Sequence, residues 1–195
     1  MKLYNHTKID DRILLEILRQ SAKAVGGIRT KDVIVRVTTS SRYTTGLVES
    51  QRYGFFYEGW LEKSGGHYDE GGTWHWNNPK PIKTDGGIML LKIACGPQGF
   101  HYWDPLKLAE RIFKLVSHEW RHIRDIQKNQ HFGEYNRNWK NRPHEKRAVR
   151  SAQVAMMKIE KQDDIQETIL NLGIRLEELF MAYKEQWDKK WQSYR

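Results

Sequence analysis

Cysteine is almost missing from this chain: Cys95 stands alone. A disulfide framework needs pairs and a thiolate zinc site needs several ligands, so both are excluded. Long apolar runs are missing too. Nowhere do about 18 apolar residues follow one another, so no helical membrane span is expected. The opening residues, Met1-Lys2-Leu3-Tyr4-Asn5-His6-Thr7, lack the apolar stretch of a secretory signal. These absences lead to the expectation of a cytoplasmic protein. Hydrophobic residues are modest at 38%, yet 8 Trp, 9 Tyr and 6 Phe supply enough bulk for a core in 195 residues. Acidic residues fall short of basic ones, which leaves a net charge of +9 and a pI near 9.6. That excess fits attraction to nucleic acid or another polyanion. A solvated surface rich in Lys and Arg gives the same composition, so charge alone names no partner.

Residues 8–25 place Ile9, Ile13, Leu14, Ile17, Leu18 and Ala22 at helical spacing, and Gly26-Gly27 ends the run. The β-branched stretch 33–38 reads as a strand. A polar turn region over 39–46 leads to a second β-like stretch through Tyr53, Phe55, Phe56, Tyr57 and Trp60. Residues 63–86, rich in Gly, Asn and Pro, read as loop. A third strand spans 88–93. Asp104-Pro105 then signals a helix start, with an acceptor at the N-cap and proline at the first helical position. Its apolar stripe of Leu108, Ala109, Ile112, Phe113, Val116, Trp120 and Ile123 carries the helix to about residue 128. A polar linker follows over 129–142. One more helix opens at Pro143 and runs to about Glu160; the last covers roughly Asp164 to Gln192, with Gly173 a mild weakness inside it. This order predicts an α+β fold: a small mixed sheet of about three strands packed on the helix that starts at Pro105, with a C-terminal helical hairpin. Residues 1–160 would form the main domain. Residues 161–195 would be an amphipathic helix packed on it, self-association being the other use of its apolar stripe; the oligomeric state stays open.

Within the helix of residues 105–128 lies His118-Glu119-Trp120-Arg121-His122, an H-E-x-x-H motif. Residues four apart on a helix lie one above the other, so both imidazoles can address one ion. Glu119, one step round, can reach a water in the ion's open position without being a ligand. The ion lowers that water's pKa toward about 7 and polarises a carbonyl, while the Glu takes the proton. A chance match is expected in roughly one sequence in forty of this composition, and a match inside a helix is rarer.

A catalytic zinc site needs a third protein ligand. Glu145 is the leading candidate: it sits in the first turn of the helix opened by Pro143, on a face continued by Ala148, Val149, Ala152, Ala155, Met156 and Ile159. A carboxylate on an inward face needs a partner, and an ion provides one; favourable placement near a helix N-terminus is the lesser alternative. Asp125 lies on the same face as His122 but suits a hydrogen bond to a ligand imidazole from behind. His144 points about 100° away from Glu145.

H-E-x-x-H followed by a Glu from a second helix resembles the gluzincin branch of the zincin metallopeptidases. The chain size and the segment Arg142-Pro143-x-Glu145-x-x-Ala148 resemble its minimal members, over about residues 88–150. The resemblance implies that His118, His122 and Glu145 bind Zn2+, that Glu119 is the general base, and that a peptide or protein substrate lies along strand 88–93 as the sheet edge. The metzincin pattern is absent, because Asp125 and Lys128 stand where that family has Gly and its third His.

Transition-state help would come from Tyr135 or His131 in the linker, or from Tyr102 or His101 ahead of the active helix. The loop 63–78, with His67, Trp74, His75 and Trp76, reads as a lid or a further histidine source. The tail Lys189-Lys190-Trp191 with Arg195 is basic and aromatic, a feature of nucleic-acid contacts and also of ordinary solvated helix ends. The sequence thus predicts a zinc metallopeptidase. The rival reading is a basic nucleic-acid-associated protein whose zinc site is structural or vestigial.

Overall fold

The computed structural model describes residues 1–49, 57–82, 84, 86–128 and 142–192. Strand β1 (Lys2–His6) leads through helix α1 (Asp11–Val25) to β2 (Ile34–Thr39), which pairs with β1 in parallel. Such a crossover needs a helix between the strands. Asp10 caps α1 by accepting the Arg12 N–H at 2.7 Å, and Gly26 ends it at φ 73°, with its N–H donating to the Ala22 carbonyl. Strand β3 (Thr45–Glu49) follows, then the short helix α2 (Glu58–Glu62), a small hairpin of β4 (Gly66–Tyr68) and β5 (Trp74–Trp76), and strand β6 (Ile88–Ile93).

The main sheet has the order β1-β2-β6-β3, with β6 parallel to β2 and antiparallel to β3. It is therefore mixed, as the sequence predicts, but with four strands. The expectation that residues 88–93 form the sheet edge is corrected. β6 lies between two partners, and its nearly continuous apolar run is that of a strand covered on both faces. Among the described residues the outer strand on that side is β3. Two further corrections concern residues 39–76. Trp60 belongs to α2 instead of a strand, and the loop read over 63–86 contains the β4–β5 hairpin. Tyr53, Phe55 and Phe56 lie outside the described residues.

Val33, Val35, Val37, Met89, Leu91 and Ile93 point to the helical side of the sheet, where the main core forms. Helix α3 (Pro105–Gln127) runs through its middle. Leu108, Ile112, Phe113, Val116, Trp120 and Ile123 are all buried, and the Trp120 indole N–H donates to the Leu18 carbonyl at 2.9 Å. Helix α4 (Pro143–Met157) and helix α5 (Asp163–Gln192) follow, joined by a 3-10 turn at Ile159–Lys161. The hairpin that the sequence predicts for these two helices is corrected. α4 packs chiefly on α3, and α5 lays Ile165, Ile169, Leu172 and Leu176 against α3 and α1. The physical reason is that α3 buries residues around much of its girth, so it offers each helix a larger apolar surface than they offer each other. Val149, read as part of the inward stripe of α4, is 44% exposed. The opposite face of the sheet is covered by a smaller cluster of Leu61, Ile82 and Ile88, with Arg36 stacked over the Trp60 ring at 4.1 Å. No helix among the described residues is long and apolar enough to cross a membrane.

Candidate metal centre

Helix α3 begins as its sequence dictates, with Asp104 accepting the Lys107 N–H at 2.9 Å and Pro105 in the first turn. Three and a half turns on, the i, i+4 spacing brings the Nε2 atoms of His118 and His122 to 3.0 Å from each other. Helix α4 opens on Pro143 and turns Glu145 toward them. Its Oε2 lies 3.3 Å from His118 Nε2 and its Oε1 3.6 Å from His122 Nε2. These three are the group of side chains, among the described residues, whose donor atoms converge closely enough to hold one metal ion. A tetrahedral zinc with bonds of ~2.0–2.1 Å sets its donors roughly 3.3–3.4 Å apart, so 3.0, 3.3 and 3.6 Å fit that ion. The side chains of His118 and Glu145 keep 19% and 18% of their surface open, while that of His122 keeps 7%.

The electrostatics suit the same role. Burial, and then the positive charges nearby, push the His122 imidazolium down to about 3, and burial with His144 also lowers His118. Both rings are therefore neutral at physiological pH, the form that binds a cation. Burial raises Glu145, opposed by Arg142. Glu119, 4% exposed, is raised to about 8 by burial and then by Glu145. A dication beside these carboxylates would draw them back to the ionised form.

Glu119 also touches a residue that the sequence reading leaves in a turn. Gly46 of β3 faces it so closely that a Cβ there would stand 2.5 Å from Oε1 and 2.6 Å from Cγ. Only glycine lets strand and carboxylate approach in this way. The Glu119 carboxylate therefore sits between the group of His118, His122 and Glu145 and the outer strand.

Asp125 is engaged by two guanidiniums. Its fully buried carboxylate accepts from Arg121 Nε at 2.9 Å and from Arg147 Nε and Nη2 at 3.2 and 2.9 Å. It ties α3 to α4 through these guanidiniums, and its charge also acts on the His144 imidazole; the Arg121–Asp125 spacing of four is the readable signal. His144, which the sequence turns away from Glu145, is buried beside it. Its Nε2 lies 3.6 Å from Glu145 Oε1 and its ring 5.7 Å from that of His122. Tyr135 and His131 lie outside the described residues. His101 and Tyr102 precede α3, whose first residue lies about 20 Å along the helix axis from His118, and His101 packs on Trp187 of α5. In the β4–β5 hairpin, His75 Nε2 lies 2.8 Å from Asp69 Oδ2, and its ring stacks on that of His67 at 5.7 Å, so these histidines engage one another.

Compared with family models, curated proteins and solved structures, the chain matches none of them.

Proposed function

We propose that this chain is a zinc-dependent metallopeptidase of the zincin type, with His118, His122 and Glu145 as ligands and Glu119 as general base. The observation that carries the reading is the convergence of the three donors at tetrahedral-edge distances beside a buried carboxylate. When bound, zinc would supply Lewis acidity, acidifying a water and polarising the scissile carbonyl. The remaining work belongs to the chain. Glu119 takes the proton from the attacking water on its carboxylate and hands it to the departing amine. Gly46 clears the space between that carboxylate and β3. The outer edge of β3 offers backbone N–H and C=O groups to an extended peptide, the part that the sequence assigns to residues 88–93.

The partial openness of the centre favours catalysis over a purely structural zinc, because structural sites close all four positions with protein ligands. The test is zinc content and cleavage of an unfolded protein substrate, for the native chain and Glu119→Gln. Stoichiometric zinc in both is expected, with turnover falling by about 10²–10⁴ in the variant. Zinc in both without cleavage by the native chain would favour the structural site of a nucleic-acid-associated protein. No zinc in either would end the metal reading.

A further inference from the structure

Away from the metal centre, aromatic rings collect where the turn that precedes α3 meets the last turns of α5. After β6 the chain makes a 3-10 turn at Gly99–His101. Gly99 allows that turn to lie on α5: a Cβ there would come 2.9 Å from the Phe180 ring and 2.5 Å from the Ala94 carbonyl. The turn delivers His101 edge-on to Trp187, at 5.9 Å between centroids, and Trp187 lies 6.4 Å from Trp191. Tyr102 continues the row beyond His101 at 6.5 Å, and the Arg42 guanidinium covers its ring at 5.2 Å. Tyr102, Trp187 and Trp191 are 50%, 42% and 60% exposed. Exposed tryptophans on a helix that has left the core behind at Tyr183 contribute little to folding, and their hydrophobic cost needs a use.

The charge around the row is mainly positive. Arg42 and Arg111 stand over Tyr102 and Trp103, Lys8 stands over Tyr183 at 5.0 Å, and Lys184 precedes Trp187 by about one turn. Lys189 and Lys190 flank the tryptophans; Glu185 and Asp188 are the acidic residues on the same stretch of α5, and Asp104, the cap of α3, follows Tyr102 by two residues. Exposed rings that follow one another at 5.9–6.5 Å and are bordered by cations match one chemistry, a strand of unpaired bases joined by phosphates. A protein partner would gain from the rings but not from the cations, and a duplex hides its base faces.

We infer that this row, Tyr102-His101-Trp187-Trp191, is a binding surface for single-stranded nucleic acid, with bases stacked on the rings and phosphates met by Arg42, Lys184 and their neighbours. Stacking and phosphate contacts are common to both sugars, so DNA and RNA strands should bind alike. The row shares no residue with the metal centre.

The test is fluorescence anisotropy with labelled oligothymidylate, oligouridylate and duplex DNA, over a salt series, using the full chain. Expected are binding of both single strands within several-fold of each other, weaker binding of the duplex, and quenching of tryptophan emission. Affinity should fall on the order of ten-fold for Trp187→Ala and be largely kept by Trp187→Phe. Arg42→Ala should flatten the salt dependence by roughly 0.7 in log–log slope for each phosphate it no longer neutralises. Tyr102→Ala is a second variant outside the core, and equal thermal melting of all variants shows that folding is intact. Absence of binding at low salt, binding unmoved by Trp187→Ala, or equal affinity for duplex would each overturn the inference. So would sedimentation showing that the native chain self-associates through this row, with Trp187→Ala monomeric and still binding the strands.

Discussion

Helix α3 carries two buried polar groups, one on either side of a single turn, and they are built on opposite plans. Asp125 is wholly buried, and its charge is answered from within the chain by Arg121 and Arg147. The group of His118, Glu119, His122 and Glu145 gathers electron-pair donors instead. Its histidines are held neutral and its carboxylates are pushed toward protonation, mainly by burial. A cluster that supplies its own counter-charges stabilises a fold, because removing either partner strands the other. A cluster that collects donors is one that a cation from outside completes.

That contrast can be broken at either end. The largest effect is expected for Asp125→Ala, which leaves two guanidiniums facing a buried gap: about 3 kcal/mol lost in chemical denaturation, the same with and without zinc. Equal losses for His122→Ala in metal-free protein would erase the distinction. Zinc at a hundred times its Kd should stabilise the native chain by about 2.7 kcal/mol, and the gain should vanish in His122→Ala while surviving in Asp125→Asn. Next in size is a pH effect. Glu119 is raised from 4.5 to about 8 in the folded chain, so the folded state binds more protons than the unfolded one between those values. Metal-free stability must therefore fall as pH rises through that window. Glu119→Gln should remove the fall, gaining stability over native at pH 9 and little at pH 4, read by thermal melts. His122 works in the other direction: its depressed value makes the folded state bind fewer protons between about 3 and 6.5, so stability is lost on acidification there. The smallest effect on stability is expected for Gly46→Ala, about 1 kcal/mol, because the Glu119 carboxylate must shift to admit the methyl group. Its effect on turnover should be larger than on stability, and an unchanged kcat would detach β3 from the chemistry.

The same two clusters show what a sequence makes legible. His118, Glu119 and His122 share one helix, so their meeting follows from local spacing, and Asp104-Pro105 announces that helix directly. Glu145 is readable because Pro143 fixes the start of α4 and so the phase of its inward face. The Asp125 network is half readable: Arg121 is four residues away, but Arg147 arrives through tertiary packing. Strands β1 and β3 escape notice because outer strands need few apolar residues. Thr45-Gly46-Leu47-Val48-Glu49 looks like the end of a turn, and its glycine is explained only by a carboxylate far away in sequence. The packing of α4 and α5 is hidden because an amphipathic stripe says that a helix is buried without saying on what.

The outer strand β3 has one more consequence, for handling the protein. Among the described residues no strand pairs with its outer edge, and such a row of backbone groups is a template for any extended chain, including a second molecule of the same sequence. Its five residues are few, one is a glycine and the last is Glu49, while Leu47 on it is 52% exposed, so shortness and a single terminal charge guard it. Concentrated preparations should begin to aggregate along this edge, and a lysine in place of Leu47 should delay aggregation while leaving the fold as it is.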